Sequence, residues 1–178
     1  MSRKYRIFVL VLVVCAALDQ GTKALVRSSL APDDAAKRVY RTIRRADVDV
    51  WCQLSERQVR VIPNFFDICY SENTGVVFGL GKSVPRWVWI SVGLLALGML
   101  LVLVNKTPPT DTWPLVGLGL VASGAIGNIA DRAIFGYVTD FIVWRYHEHA
   151  WPTFNVADAA LVVGVGLMLL TMRQPKTP

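Results

Sequence analysis

Two aspartates in the second half of the chain, Asp140 and Asp158, are of the residue type that carries out acid–base hydrolysis. Asp140 lies among β-branched and aromatic residues and has no basic residue adjacent to it in the sequence. Asp158 is predicted at the third position of a helix whose N-cap is Asn155. An acid near a helix N-terminus is also stabilised by the helix dipole, which by itself accounts for Asp158.

As a pair, these two carboxylates permit chemistry that neither performs alone. They flank one short turn, and the chain enters and leaves this turn at the same membrane face. The turn therefore permits the two carboxylates to approach closely. Two carboxylates about 4 Å apart repel by roughly 4 kcal/mol at an effective dielectric constant near 20, so such a pair shares one proton near neutral pH. A pair with one proton can deprotonate a water molecule and protonate a leaving amine, which is peptide hydrolysis.

A second set of ionisable side chains falls inside predicted membrane spans, where each costs about 2.5–3.5 kcal/mol on insertion scales. Asp19 and Lys23 are four residues apart and therefore share one helix face. We expect them to hold each other and nearby backbone, with a substrate-facing role as the alternative.

The end of the third predicted span carries a further polar group, formed by Asn128, Asp131 and Arg132 at positions i, i+3 and i+4. The small residues just before it, Gly124, Ala125 and Gly127, allow another helix to approach closely. For Asp131 and Arg132 we favour an ion-paired network that locks helices together over a direct chemical role.

No other arrangement of residues competes with the carboxylate pair. His147 and His149 alternate with Glu148 in a polar link that is typical of a solvated loop, so no metal site is predicted. Cys52 and Cys69 fall in a predicted extracytoplasmic segment, where a disulfide is permitted. Their spacing does not demand a bridge, which favours two free thiols.

The elements that must position these residues are membrane helices. The chain has 178 residues, 53% of them hydrophobic, and long stretches without charge. A bilayer core of about 30 Å needs roughly 20 helical residues. Spans are therefore predicted at about 5–27, 85–104, 113–134 and 155–172. The first resembles a secretory signal peptide, but it lacks a small-x-small cleavage site and is predicted to be retained.

Residues 28–83 form the sizeable polar region of the chain, predicted to be extracytoplasmic. Residues 59–78 are rich in β-branched and aromatic residues broken by Pro63-Asn64 and Asn73-Thr74-Gly75, which predicts short strands joined by turns. Residues 35–43 predict an amphipathic helix on the membrane surface. The net charge of +6 is concentrated at span ends and in the 28–59 segment, which favours a membrane surface over nucleic acid and suggests that this segment binds anionic lipid headgroups.

Five motifs in order resemble the lipoprotein signal peptidase (signal peptidase II) family. They are Asp19-Gln20-Gly21-Thr22-Lys23, Asn73-Thr74-Gly75-Val76-Val77-Phe78-Gly79, Gly124-Ala125-Ile126-Gly127-Asn128-Ile129-Ala130-Asp131-Arg132, Gly136-Tyr137-Val138-Thr139-Asp140-Phe141-Ile142 and Phe154-Asn155-Val156-Ala157-Asp158. Each motif is moderately specific, and their order together with four spans makes the resemblance strong.

The resemblance implies that Asp140 and Asp158 are the catalytic aspartates of an aspartyl endopeptidase. It implies a prolipoprotein substrate, cut on the amino side of a diacylglyceryl-modified cysteine, with no cofactor. It also implies contacts with membrane lipids and peptide-like inhibitors but not with nucleic acid. Supporting roles are implied for several residues: Asp19, Lys23, Asn73, Gly124, Asn128, Asp131, Arg132, Asn155 and Ala157.

The predicted fold class is an all-α four-helix transmembrane bundle with a small extracytoplasmic β-sheet platform and a surface amphipathic helix, in one domain over residues 1–178. The predicted location is the bacterial inner membrane, with both termini cytoplasmic and the active site facing the extracytoplasmic side. The alternative function is a small membrane transporter or proton-conducting protein that uses intramembrane carboxylates.

Overall fold

The protein is described by a computed structural model that covers residues 1–33, 40, 52, 58–75, 84–146 and 149–172. Within these residues the chain forms apolar helices and a small antiparallel sheet. In chain order the elements are α1 (Arg3–Leu30), β1 (Val59–Ile62), β2 (Phe66–Asn73), α2 (Arg86–Lys106), α3 (Thr112–Ile134), β3 (Val138–Tyr146), β4 (His149–Ala150) and α4 (Val156–Met172).

The chain divides into two compact units. The first, called here the helical unit, contains Met1–Gln20, Val84–Gly136 and the chain from Val156 onwards. Its core is a cluster of buried side chains from α1, α2 and α3, namely Phe8, Leu100, Val104, Leu115, Leu118 and Ala122. Around this core the helices expose large apolar side chains such as Leu95, Met99 and Val162, which is expected where lipid replaces water as the solvent.

Three of the helices, α1, α2 and α3, are long and apolar enough to cross a membrane. They contain 28, 21 and 23 residues and correspond to the first three predicted spans. The fourth predicted span corresponds to α4, an apolar helix of 17 residues. α1, α2 and α3 are each long enough to cross the bilayer core, because about 20 helical residues span about 30 Å.

The second unit, called here the sheet unit, contains Gly21–Ser83 and Tyr137–Asn155. Its strands follow the order β1-β2-β3-β4, and every neighbouring pair is antiparallel. The predicted turn at Pro63-Asn64 joins β1 to β2, and Asn64 takes a positive φ of 60° there, which asparagine tolerates better than most residues. In the β2–β3 ladder Ser71 lies opposite Asp140 and Asn73 opposite Val138.

The expectation of two free thiols at Cys52 and Cys69 was wrong. The two residues form a disulfide, with 5.7 Å between their Cα atoms, and both are buried. They are 17 residues apart in the sequence, and it is the fold that brings Cys52 to the buried face of β2. The spacing of two cysteines in the sequence does not show whether the fold brings their sulfur atoms together.

Several predictions fall on residues outside those described. They concern the amphipathic helix at 35–43, of which only the buried Tyr40 is described, most of the basic 28–59 segment, the end of the predicted strand region at 76–78 and the His147-Glu148 link.

Candidate active site

Asp140 lies near the start of β3, in the sheet unit, and is almost completely buried. Its Oδ2 accepts a hydrogen bond from Nδ2 of Asn73 at 3.0 Å, and its Oδ1 accepts one from Nδ2 of Asn155 at 2.6 Å. Asn73 is at the end of β2, and Asn155 immediately precedes α4. Both oxygens of the carboxylate are thus held by side-chain amides from two other parts of the chain.

The amide of Asn73 is itself oriented. Its Oδ1 accepts the backbone N–H of Gly75 at 3.0 Å, an Asx turn in which the side chain bonds the backbone two residues on. With Oδ1 engaged in this way, Nδ2 is directed at Asp140. In the Asn73-Thr74-Gly75 motif, the asparagine side chain therefore both accepts the N–H of Gly75 and donates to Asp140.

The residue before Asp140 is also anchored. Thr139 is fully buried, and its Oγ1 accepts a hydrogen bond from Nη1 of Arg27 at 2.9 Å. Arg27 belongs to the last turn of α1, so this bond ties the end of that helix to β3 within the sheet unit. Arg27 was not singled out from the sequence, because nothing in its spacing relates it to residue 139.

Asp158 lies in the first turn of α4, in the helical unit. Its Oδ1 accepts a hydrogen bond from Nδ2 of Asn128 in α3 at 2.8 Å. Arg132, one turn further along α3, donates through Nη1 to the backbone carbonyl of Asn128 at 3.3 Å. Asn128 thus contacts Asp158 directly, and Arg132 contacts the backbone of Asn128.

Asp19 is buried in α1 and holds the start of α4. Its Oδ1 accepts the backbone N–H of Ala157, next to Asp158, at 2.9 Å. This N–H is one of the first in α4, and the helix itself offers no acceptor for it. The helix dipole also stabilises a negative charge at this end of the helix. Asp19 therefore fixes the backbone that carries Asp158.

Gln20 extends this network from α1 to α3. Its Nε2 donates to Oδ2 of Asp19 at 3.0 Å, to the carbonyl oxygen of Gly127 at 3.1 Å and, more weakly, to Oδ1 of Asp131 at 3.4 Å. Asp131 is fully buried, and this weak hydrogen bond from Gln20 joins it to α1. Gln20 was missed as a site residue, although it lies inside the first motif.

Two glycines of α3 make room for these contacts. A Cβ at Gly127 would collide with Oδ2 of Asp19, and a Cβ at Gly124 would collide with the backbone carbonyl of Ala157. The small residues of the third motif therefore let α1 and α4 approach α3 closely, as the sequence indicated. Lys23, the remaining predicted site residue, is fully buried in the part of α1 that belongs to the sheet unit.

Comparison with known proteins assigns the family. The family model of signal peptidase (SPase) II matches residues 11–174, which is most of the chain. The chain belongs to the signal peptidase II family. It is 34% identical over 174 residues to a lipoprotein signal peptidase of Geobacter metallireducens, covering 97% of this chain and 93% of that protein. It is 42% identical over 123 residues to one from Solibacter usitatus, covering 65% of this chain and 73% of that protein.

Solved structures support the fold of this signal peptidase II family member. One bacterial membrane enzyme solved at 2.3 Å superposes with a TM-score of 0.74 at 23% identity, covering 96% of this chain and 93% of that chain. A second, solved at 1.9 Å, gives a TM-score of 0.72 at 24% identity, covering 95% and 94%. Membership of a peptidase family also counts against the transporter alternative.

Proposed function

We propose that this protein is an aspartyl endopeptidase that removes the signal peptide from prolipoproteins. It would cut on the amino side of a cysteine that already carries diacylglycerol. Membership of the signal peptidase II family supports the reaction class, and relatives over nearly the full length are lipoprotein signal peptidases. The lipid on the cysteine would enter the apolar environment of the helices, while the polypeptide would lie extended along the sheet.

Asp140 and Asp158 are the proposed catalytic pair. The observation that carries this assignment is that asparagine amides orient both carboxylates, Asn73 and Asn155 for Asp140 and Asn128 for Asp158. Asn155, bound to Asp140, is only three residues before Asp158 in the chain. Side chains held in one rotamer by amide donors are preorganised for proton transfer, which lowers the cost of reaching the reactive geometry.

In the proposed reaction one carboxylate is ionised and the other carries a proton. The carboxylate removes a proton from a water molecule, whose oxygen attacks the carbonyl carbon of the residue before the modified cysteine. The protonated aspartic acid donates its proton to the amide nitrogen as the C–N bond breaks, which releases the amine of the cysteine. The two aspartates exchange protonation states, and product release resets the pair.

The disulfide supports an extracytoplasmic location for the sheet unit. A bridge between Cys52 and Cys69 forms and persists in an oxidising compartment, and bacterial cytoplasm keeps thiols reduced.

With α4 as a fourth span, both termini would be cytoplasmic. At 1.5 Å per residue its 17 residues reach about 25 Å, the short end of the range for a span. We propose that the protein is located in the bacterial inner membrane.

The test of this function uses purified protein in detergent and two forms of one prolipoprotein, with and without diacylglycerol on the cysteine. We expect cleavage of the lipidated form only, and mass spectrometry should find the modified cysteine as the new N-terminal residue. Cleavage at another bond, or equal cleavage of both forms, would contradict the proposed specificity.

A further inference from the structure

Tyr70, in the strand that carries Asn73, contacts two other tyrosines, Tyr40 and Tyr137. Tyr40 and Tyr70 are buried, with ring centroids 5.9 Å apart. The hydroxyl of Tyr70 lies 3.0 Å from that of Tyr137 and donates to Oε1 of Glu72 at 3.0 Å. Burial first, then the hydrogen bond with Tyr137 and the charge of Glu72, raise the pKa of Tyr70 far above its ordinary value. Tyr70 therefore remains a neutral donor at physiological pH.

Tyr40 makes the contact nearest to the site. Its hydroxyl oxygen accepts the backbone N–H of Glu72 at 2.8 Å. Glu72 is the residue directly before Asn73, whose amide holds Oδ2 of Asp140. Tyr40 therefore holds the backbone of β2 at the residue next to the one that donates to Asp140.

The disulfide provides a second attachment to the same strand. Cys69 lies in β2, three residues before Glu72, and binds Cys52. Tyr40 and Cys52 both come from the chain between α1 and β1, and both contact β2, Tyr40 at the N–H of Glu72 and Cys52 at Cys69. Within the described residues, the second half of β2 is therefore held by β3 on one edge and by these two side chains from an earlier part of the chain.

We propose that Tyr40 is a positioning residue for catalysis: by accepting the N–H of Glu72, it fixes the end of β2 so that Asn73 donates to Asp140. This inference rests on the proposed function. Nothing in the five sequence motifs includes Tyr40, which lies in the segment between the first and second of them. The action is indirect, since Tyr40 touches the strand and the strand carries the amide.

The test is a double-mutant cycle between Tyr40→Phe and Asn73→Ala, with kcat and KM measured on the lipidated prolipoprotein. Phenylalanine keeps the ring against Tyr70 and removes only the acceptor oxygen. We expect Tyr40→Phe to lower kcat about tenfold with KM changed less than twofold, because loss of one hydrogen bond is worth about that factor. In the Asn73→Ala background the same change should lower kcat less than twofold, because the two residues act through one contact.

Tyr146→Phe is the matched control, since Tyr146 is 71% exposed in the same sheet and should keep the wild-type kcat. A wild-type kcat for Tyr40→Phe would overturn the role of Tyr40, as would a full tenfold loss in the Asn73→Ala background. The proposed function fails separately, if wild type does not cleave or if Asp140→Asn cleaves normally. Should Tyr40→Phe not fold, hydrogen exchange of wild type decides: a Glu72 amide that exchanges as fast as the exposed Asn64 amide overturns the proposal.

Discussion

Replacing Gly127 by alanine tests the network that supports Asp158. The added Cβ would collide with Oδ2 of Asp19 and would lie 3.1 Å from Cγ of Asp19 and 3.3 Å from Cβ of Ala157. Asp19 would have to move, and its bond to the N–H of Ala157 would lengthen or break. Since Ala157 directly precedes Asp158, the disturbance would reach the proposed catalytic carboxylate.

The magnitude follows from three contributions. Alanine is better than glycine inside a helix by about 0.5–1 kcal/mol, which would stabilise the variant. Overpacking a closely packed site costs about 1–3 kcal/mol. Loss of a side-chain hydrogen bond within a membrane protein costs about 0.6–1.7 kcal/mol. The balance for Gly127→Ala is a loss of about 1–4 kcal/mol in the free energy of unfolding.

Gly98→Ala is the matched control for this prediction. Gly98 lies inside α2, and a Cβ there would meet no atom within 4 Å. The control should be slightly more stable than wild type, so the two glycine substitutions should change the free energy of unfolding in opposite directions. Thermal unfolding in detergent and cleavage of the lipidated prolipoprotein measure both effects. If Gly127→Ala were as stable and active as Gly98→Ala, the packing of Asp19 against α3 would be refuted.

Three further predictions concern the disulfide, the buried tyrosine and the donor to Asp158. Replacing Cys52 and Cys69 together by serine should lower the free energy of unfolding by about 3 kcal/mol, measured by denaturant titration. The disulfide closes a loop between residues 17 positions apart, and without it the unfolded chain regains the conformational entropy of that loop. Because the pKa of Tyr70 is raised in the folded state, stability should be unaffected below about pH 10 and fall above it, as only the unfolded chain ionises. Thermal unfolding of Tyr70→Phe should show a weaker fall, and an identical pH dependence would count against the raised pKa. Asn128→Ala should lower kcat about tenfold with little change in KM, and a normal kcat would show that Asp158 does not need this donor.

The helices were predicted well from the sequence because membrane spans have a strong local signal. A run of about 20 apolar residues is long enough to cross a bilayer as a helix, and α1, α2 and α3 begin and end within three residues of their predicted limits. The β character around Asp140 and the turn at Asn64 were also predicted, from β-branched residues and turn residues respectively. The small residues around Gly124 indicated the close approach of another helix, and α4 occupies that place.

Contacts between distant parts of the chain were not predictable in the same way. Helical spacing suggested Lys23 as a partner of Asp19, but periodicity could not reveal that Asp19 accepts the N–H of Ala157, 138 residues away. The bond between Cys52 and Cys69, and the contact of Tyr40 with β2, likewise depend on how the chain folds back on itself. The assignment of Asp140 and Asp158 as the catalytic pair remains a prediction, drawn from the motifs.

The most direct test of that central claim compares Asp140→Asn and Asp158→Asn with Asp111→Asn in cleavage of a diacylglyceryl-modified prolipoprotein. Asparagine keeps the size of aspartate but cannot exchange a proton, whereas Asp111 lies at the start of α3, where asparagine caps a helix equally well. We expect both site variants to lose at least about a thousandfold in kcat while unfolding at the wild-type temperature, and the control to remain fully active. Wild-type turnover by either site variant would contradict the two-aspartate mechanism.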